Sequence, residues 1–168
     1  PHPQHMHIDG HDVKEGDVLK SDICIVGAGP AGIAVAERLS DTSLDICLLE
    51  SGGLNSGGGE QDSYDGTNTG LSYYPLSEAR AEGFGGSTKL WGGYCAPLDP
   101  IVFQKRSWVP HSGWPIDRED LDPYYSIAHR ILNVGPFRYE PEHWEEEIQE
   151  YHRLLADSPA INTRVIQF

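Results

Sequence analysis

The spacing of apolar positions changes several times along this chain, and each change marks an element. "DICIVGAGPAGIAVAERL", from Asp22, opens on four consecutive apolar residues, breaks on glycines, then runs with helical spacing. Such an uninterrupted, mostly β-branched run suits a parallel sheet covered on both faces, so Ile23 to Val26 is predicted to be a buried strand. Pro30 to Ser40 is predicted to be a helix, with Gly32 and Ala36 on the face that approaches the sheet. "SLDICLLE" then returns as a second parallel strand. The result is a βαβ unit, whose crossover is expected to be right-handed.

After Ser51 the run "SGGLNSGGGEQDSYDGTNTGLS" is turn chemistry throughout. Further on, Asp122-Pro123 is predicted to open a helix, with Asp as N-cap and Pro at the first helical position. Tyr124, Ile127, Ala128, Ile131 and Leu132 form its apolar stripe, and Gly135-Pro136 should stop it. A second amphipathic helix is predicted from Glu142 to Ala156, with Trp144, Ile148, Tyr151 and Leu155 on one face. "TRVIQF" reads as a strand just beginning. The fold class is therefore α/β, a Rossmann-like βαβ domain that is incomplete. Two strands and one crossover do not close a doubly wound sheet. The chain is expected to be the front part of a larger protein.

Composition narrows the function classes. The 168 residues are 38% hydrophobic, with 19 glycines and 12 prolines, which fits a globular α/β protein with long loops. Twelve Lys and Arg against 26 Asp and Glu give a net charge of −14, a field that repels phosphate backbones, so no nucleic-acid partner is expected. No apolar stretch has the length of a membrane span, and no membrane partner is expected either. Three cysteines at scattered positions fit neither a zinc pattern nor a disulfide framework. Cys24 and Cys47, inside apolar runs, read as small buried hydrophobes. "PHPQHMHIDGH" holds four of the eight histidines, and its His5-Met6 step resembles a cloning junction. Residues 1–5 are read as a tag remnant, with a metal site there as the lesser alternative. With Met6 as the start and no secretory signal after it, the expected location is the cytoplasm.

The chemistry lies in two glycine runs. In "GAGPAG", Gly27 permits a tight turn, Gly29 lets backbone approach a pyrophosphate, and Gly32 lets helix and strand pack closely. The pyrophosphate would sit at the positive end of the helix. Glu50 ends the second strand 18 residues beyond Gly32, where an acid can accept hydrogen bonds from both adenosine ribose hydroxyls. An acid there disfavours a 2′-phosphate, so NADP is the least expected dinucleotide. A bare GxGxxG occurs in unrelated turns; its strand–turn–helix context makes it specific. It does not separate FAD from NAD.

The second run, "GFGGSTKLWGGY" from Gly83, holds five glycines. Gly85, Gly86, Gly92 and Gly93 would let main chain lie flat against a ring or pyrophosphate where a Cβ would clash. A merely flexible surface loop is the alternative, and Trp91 and Tyr94, costly to leave exposed, speak against it. NAD domains generally manage with one glycine loop, whereas a flavin needs a second cradle.

With both runs in view, the chain resembles the glucose–methanol–choline (GMC) oxidoreductases. "SDICIVGAGPAGIAVAERL…LLESGG" resembles their FAD-binding N-terminus, and "GFGGSTKLWGG" their second FAD motif. "GWPIDREDLDPYYSIAHRIL" resembles the branch acting on sugars, which includes pyranose oxidases and gluconate- or fructose-type dehydrogenases. The resemblance spans Asp22 to Val134. It implies that residues 21–100 form the FAD-binding segment, and that 101–168 flank the flavin site and lead into the rest of the protein. It implies further that Gly27, Gly29, Pro30, Ala31 and Gly32 hold the pyrophosphate, and that Glu50 and Ser51 lie at the ribose. Gly86 and Ser87 would contact the pyrophosphate or ribityl chain, with Trp91, Gly92, Gly93 and Tyr94 beside the flavin. Some sugar oxidases bind FAD covalently through a His just before that Trp. Here Leu90 stands there, so FAD is expected to be non-covalent.

The implied reaction is oxidation of an alcohol of a sugar or polyol, with hydride passing to flavin N5 and a proton to a His base. That His lies in the C-terminal part of the family's fold, and nothing here matches it. His111 is a tempting substitute, though a loop histidine bonded to nearby backbone is the simpler reading. His129, His143 and His152 are read as solvated helix residues. The remainder of the same protein, or a complementary chain, is expected to supply the base. An NAD-dependent dehydrogenase and a non-catalytic flavin-binding subunit are the alternatives.

Overall fold

The computed structural model describes residues 6–54 and 64–168. The predicted tag remnant and part of the polar run after Ser51 lie outside the described residues. The chain divides into two compact units, Pro1–Trp91 and Gly92–Phe168.

The first unit is built on strands β1 (Ile23–Val26) and β2 (Ile46–Leu49), joined by helix α1 (Pro30–Leu39). The strands pair in parallel, with Ile23 opposite Ile46 and Val26 opposite Leu49, so the predicted βαβ unit is present. Side chains alternate between the faces of a strand. Ile23, Ile25, Ile46 and Leu48 therefore share the face toward α1. Gly32 makes that approach close, since a Cβ on it would lie 2.0 Å from the Gly27 carbonyl oxygen and 3.4 Å from Ile25 Cγ2.

The expectation of a fully buried strand needs correction. Cys24, Val26, Cys47 and Leu49 share the opposite face, which the described residues of this unit leave largely uncovered: Val26 is 82% exposed and Cys24 is exposed as well. Half-burial still penalises a thiolate, and burial together with the neighbouring Cys24 pushes the Cys47 thiol's pKa up. The unit also holds a 3₁₀ turn at Gly10–Asp12, a four-residue helical turn, α2 (Leu76–Ala79), and a 3₁₀ turn at Gly86–Lys89.

The second unit contains a short turn, α3 (Pro100–Phe103), the long helix α4 (Arg118–Ile131) and the short α5 (Pro141–Glu147). Helix α4 begins earlier than Asp122-Pro123. Asp117 is its N-cap, and Asp117 and Asp120 exchange side-chain-to-backbone hydrogen bonds in a capping box. That box satisfies two otherwise orphaned N–H groups, and Pro123 is carried inside the helix. Asp122 instead takes a hydrogen bond from Arg118 Nε at 2.9 Å. The helix stops at Asn133, which adopts left-handed φ of +52°, ahead of Gly135-Pro136.

The packed face of α4 also differs from the predicted stripe. Leu121, Tyr125, Ala128 and His129 point inward, whereas Tyr124, Ile127, Ile131 and Leu132 are exposed. Apolar spacing shows which residues want cover, not which of them this segment covers.

Helix α5 ends at Glu147 rather than Ala156, and Trp144, Ile148, Tyr151 and Leu155 do not share a helical face. Two causes are visible. Three consecutive glutamates stand at its negative C-terminal end. Arg153 then folds back, its N–H and Nε bonding both oxygens of Glu145 at 2.8 and 2.9 Å, with a further ion pair to Glu142. The predicted opening strand at "TRVIQF" is a single antiparallel bridge between Gln167 and Cys95. Among the described residues no helix is long and apolar enough to cross a membrane, and no group of metal-ligating side chains is assembled.

Candidate dinucleotide site

In the first unit, β1 delivers the chain into a turn at Gly27, whose φ of +96° suits glycine. The Gly27 N–H continues the strand ladder to the Leu49 carbonyl at 2.7 Å. Helix α1 then starts at Pro30 with Gly29 as its N-cap and no side chain capping it. The N–H groups of its first turn lie at the positive end of a ten-residue helix, the kind of place that receives a phosphate. Gly29 has an ordinary extended backbone, and a Cβ built on it meets nothing within 4 Å among the described residues. Neither strain nor packing reserves that position for glycine, so the space beside it is open to a ligand.

The second glycine run folds back onto this turn. The Gly85 N–H donates to the Ala28 carbonyl at 2.8 Å, and a Cβ on Gly86 would lie 3.2 Å from the Gly29 Cα. Gly83, Gly85 and Gly86 all have positive φ, and Gly83 and Gly86 are buried. The turn after β2 joins the same knot: the Phe84 N–H donates to the Gly53 carbonyl at 3.2 Å, and a Cβ on Gly52 would sit 2.4 Å from the Gly83 nitrogen. Ala28, at the centre, is 1% exposed.

Glu50 stands inside this knot. Its Oε2 accepts the Ala28 N–H at 2.7 Å, and its Oε1 accepts the N–H groups of Gly52 and Gly83, each at 3.0 Å. The exposed Ser51 hydroxyl approaches Oε1 at 3.4 Å. Burial alone would raise the pKa of this carboxyl. The N–H groups of Gly52, Ala28 and Gly83, with the Ser51 hydroxyl, outweigh it and hold the pKa below the ordinary value. Ser87 Oγ accepts the Ala81 N–H at 3.2 Å.

The structure thus brings Gly27, Gly29, Pro30, Ala31, Gly32, Glu50, Ser51, Gly86 and Ser87 into one region of the first unit. Leu90 and Trp91 close that unit, both exposed. Gly92, Gly93 and Tyr94 belong to the second unit, where Tyr94 is exposed and meets Phe168 edge-to-face at 5.9 Å. Two residues of note escaped the sequence. Glu82 Oε1 is buried and takes no hydrogen bond from the described residues. His129, read as solvated, is 7% exposed. Its Nδ1 donates to the Gly135 carbonyl at 2.8 Å and its Nε2 lies 3.0 Å from the Tyr139 hydroxyl. His111 has φ of +57° and lines a concavity of about 790 Å³ with Lys105, Arg106 and Trp114.

A family model described as lycopene cyclase protein matches residues 22–77, the stretch that holds β1, α1, β2 and Glu50. Paromamine 6′-oxidase of Streptomyces fradiae is 29% identical over 148 residues, covering 79% of this chain and 27% of that protein. 6‴-Hydroxyparomomycin C oxidase of Streptomyces lividus is 29% identical over 125 residues, covering 67% of this chain and 23% of its own. A chloroplastic lycopene beta cyclase of an Oncidium hybrid cultivar is 52% identical over 29 residues, 17% of this chain and 6% of that protein. No solved structure gives a significant match. The chain spans about a quarter of the length of the two oxidases. It is an α/β segment with a parallel βαβ unit of the kind that begins a dinucleotide-binding domain, related in sequence to two oxidases over most of its length.

Proposed function

We propose that this chain supplies the FAD-binding part of an oxidoreductase of GMC type that oxidises an alcohol group of a sugar-like substrate. The observation that carries the reading is the docking of the second glycine run onto the first through Gly85 and Ala28. A single glycine turn serves any dinucleotide; a second, fixed beside it by main-chain bonds, extends the cradle along a longer cofactor. Gly27, Gly29, Ala31 and Gly32 would hold the pyrophosphate, Glu50 and Ser51 lie toward the ribose, and Gly86 and Ser87 continue the path. Trp91, Gly92, Gly93 and Tyr94 are the residues that the resemblance assigns to the ring. Bound there without a covalent link, FAD would supply an acceptor for the substrate's hydride.

The substrate class is supported by the two oxidases, whose names specify paromamine and hydroxyparomomycin. A chain of net charge −14 also favours a polycationic amino sugar over an anionic one. The base and the remaining wall of the site come from the rest of the protein or a complementary chain. The uncovered face of the β1–β2 sheet and the exposed stripe of α4 are surfaces such a partner would cover.

The test is the visible absorption spectrum of the full-length protein, before and after denaturation and removal of protein. Flavin bands that follow the small-molecule fraction are expected. Bands that stay with the protein would overturn the non-covalent link. A folded protein that remains colourless when FAD is supplied would overturn the flavin reading and favour NAD.

A further inference from the structure

We infer that the Glu50 carboxylate is the clasp that fixes the second glycine run against the first, a positioning role separate from any contact with ribose. Three segments bond to this one group: the turn at Ala28, the bend at Gly52 and the second run at Gly83, which is 33 residues away in sequence. Main-chain N–H groups bond both of its oxygens, Ala28 on Oε2 and Gly52 and Gly83 on Oε1. A carboxylate meets all three because it is acceptor-only. The other bonds in the knot, Gly85 to Ala28 and Phe84 to Gly53, run between the same segments, so the clasp closes a ring of contacts. Sequence spacing places an acid at this position for a ligand's sake. The geometry shows that the acid already has main-chain work before any ligand arrives.

Glutamine makes the sharpest probe. Its one carbonyl oxygen can face Ala28 or the Gly52 and Gly83 pair, but not both. Whichever side it serves, its NH₂ group opposes a donor on the other. The clasp concerns the protein free of ligand and stands apart from the flavin reading. Its consequence for FAD rests on that reading: fixing the second run should matter for FAD, which spans both, more than for ADP, which reaches only the first.

The experiment is amide hydrogen exchange on the full-length protein stripped of bound small molecules, for wild type and Glu50→Gln. In wild type the Gly83 and Ala28 amides are expected to be protected. In the variant, one side of the clasp should exchange about tenfold faster, the loss expected when a hydrogen bond to a charged group is broken. Unprotected Gly83 in wild type would overturn the clasp without any variant, which covers the case in which Glu50→Gln does not fold. Unchanged protection in a folded variant would overturn it too. Binding then tests the positioning role: the FAD-to-ADP affinity ratio should fall about tenfold in the variant. Equal losses for the two would return Glu50 to a ribose contact alone. If wild-type protein shows the protection but binds no FAD, the clasp stands and the proposed function fails.

Discussion

The glycine knot of the first unit and the His129 cluster of the second solve the same problem with opposite materials. Around Ala28 the segments are held by main-chain bonds and one carboxylate, and side chains are kept out. Around His129 the space is filled with side chains. Tyr125 stacks on Phe137 at 5.6 Å and 15°, and His129 stands edge-on to both Phe137 and Tyr139. Gln167 closes that cluster, donating to the Pro136 and Arg138 carbonyls at 2.8 and 2.9 Å. A region that fills its own space is stabilising the fold. A region that fixes its backbone while withholding side chains keeps room for something else, and this difference locates the candidate site more firmly than any glycine count.

The largest expected effect comes from adding a Cβ where the knot is closed. Gly32→Val should destabilise the full-length protein by about 3 kcal/mol, because backbone at Gly27 stands in the way and cannot swing aside as a side chain would. Denaturant unfolding measures it. Gly29→Ala, three residues earlier, should leave stability within about 0.5 kcal/mol, since its Cβ meets no atom of the described residues within 4 Å. It should nevertheless weaken dinucleotide binding about tenfold. If both variants lose only stability, the open space at Gly29 is not a ligand site.

What the sequence disclosed follows the range of each interaction. β1, α1 and β2 were legible because their signals are local: an apolar run, a glycine turn and a Pro at the first helical position. Gly27 and Gly32 were legible in their roles for the same reason. The partners of Glu50 were not, since Ala28 and Gly83 lie 22 and 33 residues away and each presents only a main-chain N–H, which every residue carries. The start of α4 was a contest between two capping signals. Asp117 won because a second acid stands three residues on, the capping-box spacing, whereas Asp122 had only Pro123 to support it. His129 was misplaced because helical spacing cannot show that Gly135 and Tyr139 return to meet its ring.

In the second unit, His129→Ala should cost about 2 kcal/mol, because it empties a buried ring position and leaves the Gly135 carbonyl without its donor and the Tyr139 hydroxyl without its ring nitrogen. Dinucleotide affinity should not change. A variant of normal stability that loses the cofactor would break the comparison, by showing that the filled region also serves the ligand.

The knot should also respond to acid in its own way. The Glu50 pKa is lowered in the folded state from 4.5, so between the two values the unfolded chain binds the proton and the folded protein does not. Its stabilising contribution is therefore complete above the ordinary value and is lost as pH falls through the lowered one. The stability difference between wild type and Glu50→Gln should be flat above about pH 6 and shrink at acid pH. A difference that grows with acid would reverse the assigned direction.

The smallest effect sharpens the comparison from the other side. Asp122 and Arg118 form an i,i+4 pair at 2.9 Å on α4, and Asp122 is 44% exposed at its side chain. A solvated pair of this kind contributes about 0.5 kcal/mol or less, and salt screens it. Asp122→Asn should accordingly be nearly silent in unfolding experiments. Arg118 is different, because it also donates to the Leu98 carbonyl at 2.8 Å and lies over the Tyr125 ring at 5.3 Å. Arg118→Ala should therefore cost distinctly more than Asp122→Asn, and most of that cost should survive high salt. Were the two variants equal, the ion pair rather than the packing of Arg118 would be holding the start of α4, and the second unit would resemble the first in depending on a charge rather than on filled space.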